Sequence, residues 1–552
     1  MKHIKITCII TLLFIATGCK KMLDINTDPA SPQTTRPEFY LSSIIAKMGE
    51  ASSLDNANVQ FKLTQNMGSQ AANAVFERHG WTSGDSDGGV LWRHVYVDAG
   101  LNLEDMVKGA KALGNNTLAG VGMAIKAWGF QHLTDQHGPI ILDQAFQDRL
   151  YFNYQDQPEA YIKVREWCQE ALVLLNTPDE SDFSSALSRA DYIFGQGGFG
   201  NITTYRQKWR KFVYAILATQ YTHLINKPDF ATKYADSVVK YVDLSFGSTT
   251  LNASEDATIG YDGTLPANSN PNSLSNGLFT AITSGLYTNN RIGQPIVNYL
   301  TGGVRGTPVV NPTSSLDPRL TRMINPMVTP TVPATNGVYK GVVATKGDVP
   351  TTKTIPAILG SVAPPYPGKY IFSNVGGGRY PLFTYAQLQF MKAEALFIKG
   401  DKGGAWTAYD RAIRGHMDFV NTYGRNGSTV APVITGTEIT TYMTSSEVAP
   451  NGTVLTIADI MGQKYIAQWG WAGYEQFADM RKYHWDPTVF RQWKPLETSE
   501  ANRTVNNVAS YVYRIRPRFN SEYVWNIAEL NVWGATKTEY VYQETWFSLP
   551  TN

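Results

Sequence analysis

Apolar positions recur three and four apart over long stretches of this chain, the spacing that gathers them on one face of a helix. The pattern sets in at Glu38 and holds for about two hundred residues. In 118–133 the apolar set is Leu118, Val121, Ile125 and Trp128 through Leu133; in 161–175 it is Tyr161, Val164, Cys168, Ala171, Leu172 and Leu175. Further stripes run through Trp209, Phe212 and Ile216, and through Phe230, Tyr234, Val238, Tyr241 and Val242. Stripes in series predict helices stacked on helices. A second block opens near Thr384, where "TYAQLQFMKAEALFIKGDKGGAWTAYDRAI" reads as two amphipathic helices joined by a Gly-rich turn. One tetratricopeptide unit and a generic helical hairpin both fit that string. A third helix is predicted over Ile457 to Arg481.

Between these blocks, 250–380 is rich in Pro, Gly, Asn, Ser and Thr and has few periodic runs. A structureless loop of that length is improbable in a folded domain, so the segment is expected to be a packed lobe of short elements, where binding sites tend to sit. The predicted class is mainly α, helices stacked on helices, with a loop-rich lobe carrying short strands. The helical scaffold is placed at about 38–249 and 381–482, the ligand lobe at 250–380 and a C-terminal packing segment at 483–552, all in one body over 38–552.

The first residues read differently. Lys2 and Lys5 precede an apolar run from Ile9 to Ile15, which is shorter than the roughly 20 residues a spanning helix needs. Ala16, Thr17 and Gly18 then lead into Cys19, a string similar to the lipobox of bacterial lipoproteins. Residues 1–18 are expected to be a cleaved signal and Cys19 to carry acyl chains, each buried CH₂ adding about 0.8 kcal/mol of membrane affinity. The polar, Pro-containing stretch 19–37 is expected to be the tether.

Of the three cysteines, Cys8 is expected to leave with the signal and Cys19 to be acylated, which would leave Cys168 no partner for an intrachain disulfide. Its place on a helical stripe makes it a core residue rather than a reactive thiol. The chain is 43% hydrophobic, 17% charged and carries a net charge of +2, a globular balance that excludes a nucleic-acid binder driven by phosphate neutralisation. Between Gly263 and Gly347 the balance is +5, with Asp317 alone against Arg291, Arg305, Arg319, Arg322, Lys340 and Lys346. That window suits an acidic ligand or partner surface, or is simply a set of solvated loop charges.

Catalytic signatures are missing: no H-E-x-x-H, G-x-S-x-G or P-loop string occurs. Gly195, Gly197 and Gly200 form a G-x-G-x-x-G, but position 220 is Gln where a dinucleotide site needs an acid, so a loop is expected. His132 and His137 are expected to cap or pack a helix end rather than bind metal. Asp85 and Asp87 in "GDSDGG" are weak calcium candidates without a glutamate at the twelfth loop position. Aromatic residues make up 12% of the chain, and rings of this kind serve both cores and flat faces for sugars or peptides.

Taken in order, these strings resemble the SusD/RagB family of Bacteroidetes outer-membrane lipoproteins, in its SusD-like branch. The likeness spans almost the whole chain: the lipobox with "LDINTDP", then "LTDQHGPIILDQA", the glycine loop leading into "YRQKWRKFVYAILA", "LDPRL", "PLFTYAQLQFMKAEALFIKGD", "QKYIAQWGWAGYEQFADMRK" and "YVYRIRPRFNSEY". It departs at "GQGGFGNI", where an acidic residue is common, and at "IILDQA", in place of a proline-tyrosine pair. The resemblance implies a fold of tetratricopeptide-like helix pairs, an α/α superhelix with the loop-rich lobe packed against it, and a non-enzymatic, lipid-anchored receptor on the outer membrane that needs no cofactor. It would grip an oligosaccharide, or alternatively a peptide, and cover a SusC-like TonB-dependent transporter; a glycan-degrading enzyme and a surface adhesin are the other classes. For such a receptor the ligand candidates are Asn73, Arg78, Trp81 and Trp92 around one Gly-rich turn, and Tyr287, Asn289 and Arg291 in "SGLYTNNRIG". Trp81 leads them, because a Trp between Gly80 and Gly84 in a polar loop has few neighbours to bury it.

Overall fold

The computed structural model describes residues 35–81, 88–195, 199–248, 250–261, 290–307, 316–324, 326–327, 338–348, 355, 370–372, 378–424 and 432–551. The scaffold helices are α1 (Glu38–Asp55), α2 (Gly100–Ala112), α3 (Asn116–His137), α4 (Gln157–Asn176), α5 (Ile202–Thr222), α6 (Ala235–Leu244), α7 (Tyr385–Lys399), α8 (Lys402–Phe419), α9 (Ile457–Gln468) and α10 (Gly473–Lys482). Local chemistry sets their starts. Side chains of Asn115, Asn201, Thr384 and Asp401 accept the orphan N–H groups at the heads of α3, α5, α7 and α8, and Thr456 with Asp459 forms a capping box on α9. α7 stops at Gly400, which takes the left-handed conformation at φ +94°.

From α2 to α8 each helix packs on the next, and α9 closes on α7, so consecutive pairs build a superhelix. Its centre is α3, where every residue from Thr117 to His137 except Lys126 and His132 is buried. The stripe expected in 118–133 is thus one sector of a helix buried all round. Two glycines let its neighbours come close. A Cβ on Gly120 would lie 2.7 Å from Leu175 Cγ of α4, and one on Gly122 would lie 2.4 Å from Val107 Cγ2 of α2. The α4 stripe behaves as expected, with Tyr161, Val164, Cys168, Ala171 and Leu175 fully buried, and burial pushes the Cys168 thiol far up, away from the reactive thiolate. The helix expected over Ile457 to Arg481 is instead broken between α9 and α10. Gly470 sits at φ +84° and its N–H donates to the Asn66 side chain, while the Trp469 indole donates to the Asn66 carbonyl at 3.0 Å.

Charged side chains stitch the helices from inside. Lys464 of α9 stands 2.8 Å from Asp479, 3.4 Å from Glu475 and 3.7 Å from Glu394, and Lys482 reaches Glu394 at 3.0 Å and Asp479 at 2.7 Å. His223, just past α5, bridges Asp135 of α3 at 3.2 Å and Glu475 of α10 at 2.9 Å. The side chains of this network are at most 4% exposed.

The strands are short and pair antiparallel. β1 (Met67–Ser69) pairs with β5 (Asn290–Ile292), β2 (Ile140–Ile141) with β3 (Tyr154–Gln155), β4 (Ala257–Tyr261) with β6 (Gly378–Phe383), and β7 (Thr504–Val505) with β8 (Val508–Ala509). The β4–β6 ladder joins the two ends of the Pro- and Gly-rich segment at its base. Among the described residues no helix is long and apolar enough to cross a membrane.

Candidate ligand-binding face

Past α1 the chain leaves helical geometry at Gln65 (φ +59°) and enters β1, where Gly68 lies opposite Arg291 of β5. Val342 lies across this pair, its N–H donating to the Ile292 carbonyl at 2.8 Å. Only a glycine fits beneath it, because a Cβ at Gly68 would come within 2.6 Å of the Val342 side chain. The segments 70–80 and 338–348 then run side by side. The Asn73 N–H donates to the Thr345 carbonyl at 2.9 Å, and the Asp348 N–H to the Gln70 carbonyl at 2.8 Å. Glu77 spans both segments, accepting from the backbone N–H of Ser69 and, at 2.7 Å, from that of Thr345.

A third strip closes the side of this platform. Asn502 N–H donates to the Arg78 carbonyl at 2.8 Å, and Arg78 Nε donates to the Glu500 carbonyl at 3.0 Å. The Glu500 carboxylate takes Lys346 and Lys494, each at 2.6 Å. Burial works against its charge, but these ammonium partners win and hold its carboxyl down at about 2. Beyond it stands the β7–β8 hairpin, turned by Asn506 (φ +51°) and Asn507 (φ +60°), with Val505 facing Val508 at 49% and 65% exposure.

Of the residues expected from sequence, Asn73 is exposed on this platform and Arg78 is half-buried at its edge. Trp81 is half-buried, its ring edge-on to Phe76 at 5.5 Å. Two others are corrected. Trp92 is 1% exposed, wedged against Tyr96 at 5.1 Å and His137 at 5.0 Å, so it belongs to the core and offers no surface to a ligand. Arg291 is 5% exposed and pairs with Asp348 beneath the platform, holding it rather than facing outward. Tyr287 and Asn289, the calcium candidates Asp85 and Asp87, and Cys19 with the signal and most of the tether lie outside the described residues.

Four of the six cations in the expected window are paired with carboxylates. Arg319 is fully buried on Asp317 at 2.6 Å, Arg322 pairs with Glu438 at 2.9 Å, Lys346 with Glu500, and Arg305 donates to the Arg491 and Pro487 carbonyls. Besides Asp317, its counter-charges are Asp348, Glu438 and Glu500, all outside the counted window. Sequence reading missed Glu77, Glu500 and the β7–β8 hairpin; for the last, the "VNNV" string was the available signal.

The platform presents backbone, amide, guanidinium and ammonium groups beside an aromatic ring, a set that binds hydroxyls and ring faces. Its buried carboxylates Glu77, Glu500 and Asp348 are already occupied by N–H, ammonium and guanidinium donors. The imidazole poised between two carboxylates, His223, is 1% exposed in the core, out of reach of a solvent-borne substrate. An interior cavity of about 30 Å³ lined by Ser52, Asn56, Trp128, Tyr380 and Trp471 has room for water but not for a sugar. Among the described residues no group of three or more His, Cys, Asp or Glu could hold a metal ion.

The sequence over residues 29–504 matches the SusD-like family described as starch-binding and associating with the outer membrane. The chain belongs to the SusD-like family. No curated protein matches it. Among solved structures, a SusD/RagB family protein from Bacteroides thetaiotaomicron superposes with TM-score 0.66 at 18% identity, over 93% of this chain and 99% of the other. A chitin-binding protein gives 0.65 at 15%, over 93% and 100%. A SusD homolog from Bacteroides fragilis gives 0.64 at 16%, over 93% and 99%. These likenesses show the fold.

Two strings of the SusD-like chain acquire structural meanings. "LDPRL" places Arg319 where it clamps Asp317, His416 of α8 and Gln463 of α9, tying the lobe to the scaffold. The glycine loop, described at Gly195 and Gly200, leads into the Asn201 cap of α5, and Gln220, where a dinucleotide site needs an acid, is buried in hydrogen bonds to Gln131 and the Tyr161 carbonyl.

Proposed function

We propose that this SusD-like chain is a lipid-anchored receptor at the outer membrane that captures an oligosaccharide and delivers it to a SusC-like TonB-dependent transporter. The observation that carries the binding half is the platform: two loops locked together by buried groups, presenting Gln70, Asn73, Arg78 and Lys346 next to Trp81. Sugars need that mixture, since ring C–H faces pack on an indole while hydroxyls pair with amide and cationic donors. Rigid loops also lower the entropy lost on binding. The saccharide class is supported by the family's description as starch-binding and by the chitin-binding neighbour of the same fold.

The reading is non-enzymatic, in keeping with platform carboxylates that are held by donors rather than left to move protons. Anchoring rests on the lipobox-like string ending at Cys19, and delivery on the family's association with the outer membrane. A glycan array probed with the purified body, repeated with Trp81→Ala, tests the capture step: retention of one glycan class by the wild type and its loss in the variant is expected. No retained glycan, or retention unaffected by the change, contradicts the reading. Release of new reducing ends from a bound glycan would show an enzyme, and recovery without a large β-barrel in mild detergent extracts would contradict delivery to a transporter.

A further inference from the structure

Thr345 sits at φ +71°, a conformation that a β-branched residue adopts only under strain. Its partner across the platform, Asn73, is left-handed as well, at φ +58°. The two are bonded to each other, Asn73 N–H to Thr345 carbonyl at 2.9 Å. Such a pair persists only if something fixes it, and the peptide groups on both sides of Thr345 are held. The carbonyl is held by Asn73, and the N–H by Glu77 at 2.7 Å. The other oxygen of the same carboxylate takes the Ser69 N–H, at the head of the exposed loop Gln70–Asn73. Gly347 (φ +67°) completes the contact, for a Cβ there would lie 2.5 Å from the Ala72 nitrogen.

We propose that Glu77 is the positioning residue of the ligand face, a single buried carboxylate that clasps Ser69 and Thr345 and so holds the Gln70–Asn73 loop in its ligand-binding shape. This rests on the reading of the platform as the ligand site. The chemistry requires a carboxylate. Both partners are N–H donors, a carboxylate accepts with both oxygens, and a carboxamide would accept with one and turn an N–H toward the other donor. Glu77 is 1% exposed, so solvent does not substitute for it; burial pushes its carboxyl above the usual range against the pull of its Ser69 and Thr345 hydrogen bonds and the Lys62 charge. It touches no ligand itself and acts through Asn73 and its neighbours.

The test compares wild type, Glu77→Gln, Thr345→Gly and the double variant by amide hydrogen exchange of peptides covering 69–74 and 343–348, by thermal unfolding, and by affinity for maltoheptaose and chitohexaose. Glu77→Gln is expected to speed exchange in both peptides and to weaken the bound probe about tenfold, the scale of one lost charge-assisted hydrogen bond. Thr345→Gly releases the strain at φ +71° but also gives up a buried side chain, so its exchange, affinity and melting temperature are the reference for the double variant. The double variant shows a partial rescue: its change relative to Thr345→Gly is smaller than that of Glu77→Gln relative to wild type, since the strain is gone while both N–H donors remain. A merely space-filling Glu77 gives no such rescue, and absence of rescue overturns the proposal. So does unchanged exchange in Glu77→Gln; should that variant fail to fold, Glu77→Asp, whose shorter carboxylate cannot reach both N–H groups, is read in its place, and unchanged exchange there overturns the proposal as well. A wild type that binds neither probe while exchange follows the expected pattern sinks the glycan reading and leaves the clasp standing.

Discussion

Replacing Lys464 by methionine removes one cation from the middle of the scaffold while keeping most of its stem volume. The ammonium lies within 3.7 Å of carboxylates from Asp479, Glu475 and Glu394, all at most 4% exposed. Lys464, Arg481, Lys482 and the His223 imidazolium are the cations set among Asp135, Glu394, Glu475 and Asp479, so the variant leaves one carboxylate uncompensated. Deleting one partner of a buried pair costs about 3–5 kcal/mol, mostly the penalty of the charge left behind. A body of about 500 residues unfolds with an entropy near 1 kcal/mol/K, so the melting temperature is expected to fall by about 3–5 °C if unfolding is one step. Scanning calorimetry at pH 7 measures this. If the residual charge is the cause, adding Asp479→Asn recovers part of the loss, and the double variant melts above Lys464→Met. A drop below about 1 °C, or a double variant whose loss equals the sum of the singles, refutes the reasoning.

Further outcomes follow from particular contacts. Asp256 is buried, with Oδ1 accepting the Tyr385 N–H at 2.8 Å and Oδ2 without a partner among the described residues, and burial pushes its carboxyl well above the ordinary range. Its charge therefore opposes folding as pH rises, so Asp256→Asn should raise the melting temperature at pH 7 by about 1–2 °C and lose that advantage near pH 4. Burial pulls the His223 imidazolium down, but Glu475 and Asp135 raise it to about 9. Its contribution, on the order of 3 kcal/mol, is fully present below pH 6.5 and is lost as pH rises toward 9, which denaturant titrations from pH 6 to 9.5 would show for wild type and not for His223→Phe. Gly120→Ala gains about 1 kcal/mol of helix propensity but forces a Cβ to 2.7 Å from Leu175 Cγ and 3.1 Å from the Leu175 nitrogen, so urea melts should show a net loss of about 1–2 kcal/mol.

Helices were legible because their cause is local: a three-and-four period plus a capping side chain, as at Thr384 with its stripe through α7. The break between α9 and α10 was not, because it depends on Asn66, some four hundred residues away in sequence, taking up the backbone around Gly470. The candidate binding face shows the same division. Asn73 and Arg78 stand in a Gly-rich polar turn whose exposure is readable, whereas Trp92 follows a similar turn and is buried by His137 and Tyr96. Counting charges in a window failed for a related reason, since Arg291, Arg322 and Lys346 meet partners at Asp348, Glu438 and Glu500 that only the fold brings near. Glu77 carries no sequence signal at all; its role exists only once two distant loops lie side by side.

The most direct measurement is a co-crystal structure of the mature body with the oligosaccharide that the wild type retains best on the array. Sugar rings lying over Gln70–Asn73, with Trp81 against a ring face and Arg78 or Lys346 on hydroxyls, is the expected result. A sugar seated on the outer faces of α4 or α6, with the platform bare, contradicts the assignment.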